Sequence, residues 1–212
     1  QRLTSLAGGA RAPVYSHDGR QLAFVSIYYP GAPDDAANKA RIEAQRTRKA
    51  NVRIYEGFPI RNWDHWLDER QPRVFVLALN DEGLAQGPPR DLLWGTRLLA
   101  NPGFAGRQTD TGEEMELEFT PDNKALVFVA STNINAAAYA FTDAQLFLVD
   151  VAGGEPGRLA LVEVIGSPYA RMSRWMASWL VQRTAMPPSG PRSCSGIPGW
   201  RGAVTIRCAG RE

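Results

Sequence analysis

Short apolar runs, each closed by a polar turn, fill the first 160 positions of the chain. Ser16-His17-Asp18-Gly19-Arg20-Gln21-Leu22-Ala23-Phe24-Val25 recurs without a gap as Thr120-Pro121-Asp122-Asn123-Lys124-Ala125-Leu126-Val127-Phe128-Val129, at an offset of 104. Each copy is a turn carrying an Asp, then a basic residue, then a β-rich run. Asp18-Gly19 and Asp122-Asn123 tolerate the left-handed backbone of a tight hairpin, and the aliphatic and aromatic run behind them reads as a buried strand. A second run, Val74-Phe75-Val76-Leu77-Ala78-Leu79, corresponds to Leu146-Phe147-Leu148-Val149-Asp150-Val151. Each leads through a Gly- or Pro-bearing turn to a short closing strand, which contains Arg90-Asp91-Leu92 in the first copy and Arg158-Leu159 in the second.

Each unit therefore reads as strand, hairpin, strand, strand, hairpin, strand, the content of a four-stranded propeller blade. The matched turn-and-strand pairs favour that reading over a generic meander in a sandwich. The expected fold is all-β, a partial β-propeller of about two four-stranded blades. Residues 1–10, with Arg2-Leu3-Thr4, read as the closing strand of a preceding blade, residues 11–100 as the first blade and 101–165 as the second. Two blades cannot close a ring, so Leu22, Phe24, Leu126 and Phe128 are expected to need covering neighbours, and the isolated chain to be marginally stable or self-associating.

The units differ in their middles. Between Ser26 and Arg73 lie 46 residues, and between Ala130 and Gln145 only 14. The first blade thus carries an insertion near residues 34–72. Its early part, Asp35 to Val52, is rich in Ala, Lys, Arg, Glu and Gln and predicts a short helix capped by Asp34 or Asp35. Such a helix cannot join the sheet and belongs on one rim.

Composition narrows the function classes. Lys plus Arg total 24 and Asp plus Glu 22, a net charge of +2 that calls for no polyanionic partner. No apolar run approaches the roughly 20 residues of a membrane helix, so no membrane partner is expected. The opening Gln1 carries no signal-peptide pattern and suggests a trimmed or partial chain. Cys194 and Cys208 stand near the C-terminus with no His nearby, which is neither a disulfide framework nor a zinc pattern. Gly8-Gly9 and Gly153-Gly154 lack the following Lys-Ser/Thr of a phosphate loop and are assigned to hairpins. No Ser has Gly at both the minus-two and plus-two positions, the surroundings a nucleophile elbow needs. Of two histidines, His17 falls in a hairpin turn and His65 between Trp63 and Trp66. No catalytic, metal or cofactor residue is assigned, and no cofactor is expected. The insertion is locally basic, with Tyr55, Phe58, Trp63 and Trp66 in or beside it. Such a mixture can bind single-stranded nucleic acid, but a solvated helix packed by its aromatics is the favoured reading.

The turn-and-strand repeat resembles that of TolB-like propellers and of prolyl oligopeptidase-family serine peptidases. More specifically, Asn38-Lys39, then Arg53-Ile54-Tyr55, then Arg61-Asn62-Trp63-Asp64-His65-Trp66-Leu67-Asp68, then Val74-Phe75-Val76 is similar to the insertion of bacterial acylaminoacyl peptidases and dipeptidyl aminopeptidases. The resemblance covers about residues 1–160. It implies a propeller that gates access of short peptides to a C-terminal α/β-hydrolase domain bearing a Ser-Asp-His triad. Arg61, Trp63, His65 and Trp66 are the candidate rim contacts, and Asp18, Gly19, Asp122 and Asn123 the structural turn residues. The function expected is a non-catalytic propeller fragment of such a peptidase. The alternative is a TolB-like module binding a protein or nucleic-acid partner. The compartment, bacterial cytoplasm or periplasm, is left open.

Beyond Gly166 the character changes to an irregular tail, residues 166–212, rich in Pro, Ser and Arg. A reading-frame slip is the favoured explanation. Trp175-Met176 is encoded only by TGGATG and Ala177 begins with GC, so reading one nucleotide later forces Gly-Trp. Allowed codons around it permit Pro-Asp-Gly-Trp-x-Val-Gly, a third copy of the turn and strand. The rival reading is a genuine basic tail or linker, and the nucleotide sequence across codons 160–180 decides between them.

Overall fold

The computed structural model describes residues 2–49, 61–62, 65–66, 69–109, 112–142 and 144–161; the tail and its proposed frame slip lie outside them. From the N-terminus the chain forms β1 (Arg11–Tyr15), β2 (Gln21–Tyr28), helix α1 (Asp35–Arg46), the two-residue strands β3 (Arg61–Asn62) and β4 (His65–Trp66), β5 (Gln71–Ala78) and β6 (Arg90–Asp91). The single-turn helix α2 (Arg97–Ala100) follows. Next come β7 (Arg107–Thr109), β8 (Gly112–Glu114), β9 (Leu117–Phe119), β10 (Ala125–Ser131), β11 (Ala144–Asp150) and β12 (Gly157–Leu161). Strands β1-β2-β5-β6 make one four-stranded antiparallel sheet and β9-β10-β11-β12 another. The mostly-β expectation holds, strand for strand, in both units. The β7–β8 hairpin had no counterpart in the sequence reading.

Local chemistry makes the two hairpins alike. Ser16 Oγ donates to Asp18 Oδ1 at 2.6 Å and accepts Gln21 N–H at 2.9 Å, while Asp18 Oδ1 also accepts Arg20 N–H at 3.1 Å. Thr120 Oγ1 donates to Asp122 Oδ1 at 2.6 Å and accepts Ala125 N–H at 3.0 Å, and Asp122 Oδ1 accepts Lys124 N–H at 3.2 Å. Gly19 (φ 70°) and Asn123 (φ 59°) supply the left-handed residue. These bonds hold both carboxyls below the ordinary Asp range, the hydroxyl bond contributing most. Behind the turns, Phe24 pairs with Phe75 and Phe128 with Phe147, their rings stacked at 5.6 and 5.5 Å.

The sheets pack through unlike faces. Alternation puts Leu22, Phe24, Phe75 and Leu77 on one face of the first sheet and Ala23, Val25, Val74 and Val76 on the other. The second sheet turns Leu126, Phe128, Phe147 and Val149, the counterparts of the first set, onto the first sheet's Ala23-Val25-Val74-Val76 face. Leu126 and Phe128 are fully buried there, each burial worth roughly 1.5–3 kcal/mol. Turn meets turn as well: His17 N–H donates to Asn123 Oδ1 at 2.8 Å and Gln21 Nε2 to the Asn123 carbonyl at 3.4 Å.

Several expectations are corrected. Residues 2–6 form no strand. Arg2-Leu3-Thr4-Ser5-Leu6-Ala7-Gly8 instead matches Arg97-Leu98-Leu99-Ala100-Asn101-Pro102-Gly103, the crossover from the first sheet to the second. A Cβ on Gly8 would overlap the Ile27 carbonyl oxygen, and one on Gly103 the Thr132 carbonyl oxygen, so both crossovers pass the outgoing end of a strand with only glycine's clearance. Gly8-Gly9 therefore lies in a crossover, not a hairpin. Leu22 and Phe24 are not exposed; they are buried in a cluster against which Leu3, Leu6 and Ala37 pack. The α1 helix ends at Arg46, earlier than Val52, and the insertion ends before Gln71, which already belongs to β5. In β6 and β12 the register sets Asp91, not Arg90, in the place of Arg158, because Asp91 faces Phe75 and Arg158 faces Phe147.

Two outcomes are expected. Gly8→Ala and Gly103→Ala each lower stability in urea by about 1–3 kcal/mol, whereas Gly157→Ala, with open space around it, is near neutral. Folding depresses the Asp18 and Asp122 pKa values below their unfolded value of about 3.9. Their stabilisation is thus complete above about pH 4 and lost as pH falls through the lowered folded values. Unfolding followed against pH shows an acid limb that Asp18→Asn/Asp122→Asn flattens; parallel curves for the two proteins would refute the assignment.

Candidate functional site

The inserted segment leaves the first sheet at Tyr28 and rejoins it at Gln71, which are partners in register, so its base is closed. Asp34 caps α1 by accepting Ala37 N–H at 2.8 Å. Asn38, fully buried, fixes the helix to the end of β2: its Nδ2 donates to the Ile27 carbonyl at 3.1 Å and its Oδ1 accepts Tyr29 N–H at 3.0 Å. Asp35 accepts Ala7 N–H at 2.8 Å and the Tyr28 hydroxyl at 3.4 Å. Thr47 ends the helix, its hydroxyl donating back to the Glu43 carbonyl at 2.9 Å.

At this base lies an unusual cation. Arg73 sits in β5 opposite Ser26, on the same face as Phe75, and is 1% exposed. Its guanidinium carbon lies 4.6 Å from the Tyr28 ring centre and 4.7 Å from that of Trp94, so it contacts two aromatic rings. Nη1 donates to Asp91 Oδ2 at 3.2 Å. The other Asp91 oxygen accepts Leu93 N–H at 2.9 Å and Trp94 N–H at 3.1 Å, turning the chain sharply after β6 and holding Trp94 beside the guanidinium. Trp94 itself stays 44% exposed. Burial, reinforced by the charges of Asp35 and Asp91, pushes the Tyr28 phenol well above its ordinary range.

The sequence-predicted residues divide. Asp18, Gly19, Asp122 and Asn123 sit together in the abutting turns. Arg61 pairs with Trp66 and Asn62 with His65, which puts Arg61, His65 and Trp66 on one short ribbon within the insertion; Trp63 lies outside the described residues. Sequence reasoning missed Tyr28, Arg73, Asp91 and Trp94. The available signal was Arg73 itself, an arginine two residues before Phe75 on the strand face that Leu77 continues. Among the described residues no cluster of three His, Cys, Asp or Glu side chains is placed to hold a metal ion. What the Arg73 group offers is rigidity: a buried guanidinium with aromatic walls, paired to a partly exposed carboxylate, that fixes the corner where insertion, strand and outer edge meet.

No protein-family model matches the chain. It is similar to the dipeptidyl-peptidase 5 of Porphyromonas endodontalis, 24% identical over 155 residues that make up 73% of this chain and 20% of that protein. The chain thus spans about a fifth of the length of the curated relative it matches. The similarity supports a relationship to S9-type peptidases.

Arg73→Ala removes a buried guanidinium from between two rings and takes one partner from the partly exposed Asp91, and is expected to cost about 1–3 kcal/mol and to release Trp94. Urea unfolding checks the first. The second is read by fluorescence of a protein in which Trp94 is the sole tryptophan, which shifts to the red when Arg73 is replaced.

Proposed function

We propose that the chain is a non-catalytic propeller portion of an S9-type serine peptidase, where it gates access of short peptides to a catalytic domain elsewhere in the parent polypeptide. The observation that carries this reading is the stacking of two equivalent sheets through unlike faces. A two-fold sandwich would bring equivalent faces together; repeated stacking of unlike faces is the arrangement of a circular array. The crossover leading into the first sheet matches the one joining the two sheets, and Tyr15 is 58% exposed where its counterpart Phe119 is 2% exposed. Both features accord with a further sheet lying against the first. The distant similarity to a dipeptidyl peptidase supports short peptides as the substrate class in this reading. The inserted rim segment, with Arg61, Trp63, His65 and Trp66, is the part of the gate that would face peptide or catalytic domain.

The protein from the complete gene is expected to release chromophore from a dipeptidyl anilide, and the 212-residue chain alone to release none. Turnover by the isolated chain, blocked by a serine-directed phosphonate, would overturn the non-catalytic assignment. Retention of the chain on single-stranded DNA at 150 mM salt, lost in Trp63→Ala/Trp66→Ala, would favour the TolB-like binding module instead.

A further inference from the structure

Asp18-Gly19 is the one step in the 212 residues at which an Asp or Asn precedes a Gly. Such a step is prone to isomerise, because no side chain shields the glycine nitrogen. That nitrogen attacks the Asp Cγ, an N–C bond forms as a C–O bond breaks, and water leaves to give a succinimide. Water then opens the ring at either carbonyl, and opening at the α-carbonyl leaves the main chain running through the side-chain carboxyl. Residues 17–20 are exposed, so water reaches them, and the space beside Gly19 is open. Both reacting groups are nevertheless tied. Gly19 N–H donates to the Ser16 carbonyl at 3.0 Å, which holds back the proton whose loss makes the nitrogen nucleophilic. Asp18 Oδ1 accepts the hydroxyl of buried Ser16 at 2.6 Å and Arg20 N–H at 3.1 Å, which fixes the orientation of the carboxyl. The same bonds hold that carboxyl below the ordinary Asp range, which reduces the neutral acid that can release water.

We propose that Asp18-Gly19 is a latent isomerisation site and that the Ser16 hydroxyl is its guard. The second turn carries matching bonds, Thr120 hydroxyl to Asp122 at 2.6 Å and Asn123 N–H to the Thr120 carbonyl at 2.9 Å. There the Asn123 side chain already hinders the attack, so the protective role of the hydroxyl belongs to the first turn. Isomerisation inserts the Asp18 Cβ into the main chain and lengthens the turn by one atom. The altered turn no longer sets His17 N–H against Asn123 Oδ1, so the polar contact between the two sheets is what the reaction undoes. The site does not depend on the peptidase reading.

Incubation of the 212-residue chain at neutral pH, then trypsin and chromatographic separation of the isomeric peptides covering residues 12–20, tests this. The synthetic peptide of the same residues is the untied reference. The wild-type chain is expected to accumulate isoaspartate at position 18 more slowly than the peptide by roughly tenfold or more. Ser16→Ala is expected to speed the reaction in the chain by roughly tenfold, and Thr120→Ala, which loses the matching bond in the other turn, to leave it unchanged. A wild-type rate equal to that of the peptide would overturn the proposal, and that comparison needs no variant to fold. An unaltered rate in Ser16→Ala would overturn the guard. So would equal acceleration in Ser16→Ala and Thr120→Ala, since the reaction would then follow general opening of the fold.

Discussion

Everything in this molecule follows from the unequal faces of its sheets. The first sheet carries Leu22, Phe24, Phe75 and Leu77 on one face and Ala23, Val25, Val74 and Val76 on the other, and the second sheet sets Leu126, Phe128, Phe147 and Val149 on that smaller face, so large packs on small. The first sheet, which covers its neighbour with its small face, presents its own large face to be covered in turn. In the first sheet that face holds Leu22, Phe24, Phe75 and Leu77, and it is shielded by a crossover and an inserted helix rather than by another sheet. The inserted helix therefore has a packing role, through Ala37. Asn38 and Asp35 point to why its first turn is well anchored.

What could be read in the sequence was what short-range bonding dictates. A hydroxyl, an Asp two residues on and a left-handed residue after it close a hairpin through bonds spanning at most five residues, and both copies are visible as text. The Phe pairs follow from register once the hairpins are placed. The leading crossover was misread because Arg-Leu also occurs at Arg158-Leu159, and a two-residue match cannot separate a closing strand from a crossover. Gly8 and Gly103 carry the distinguishing information, but a glycine's value as clearance shows only when the backbone that passes it is known. The end of α1 was missed because Arg and Lys continue past Arg46, and it is the Thr47 side chain, bonding back into the helix, that marks the stop.

The Arg73 group shows the limit more sharply. A charged residue on a strand ordinarily points to water, and nothing near Arg73 in the chain announces its partners. Tyr28 comes from the neighbouring strand across the whole insertion, and Trp94 only after β6 has turned back on Asp91. Desolvating a guanidinium is costly, and here the aromatic walls and a carboxylate offset it. The benefit is mechanical. The two ends of a long insertion are tied where they leave and rejoin the sheet, and the tie reaches the sheet's outer edge.

The row of turns also has a direction. Position 17 is a histidine whose amide hydrogen is handed to the carboxamide of the next turn, but the matching position 121 is proline, which has none to hand on. The second unit can receive this bond and cannot extend it. The two units are therefore not interchangeable tiles: a tandem copy of the second would lack this polar tether, so their order is written into the pyrrolidine of Pro121.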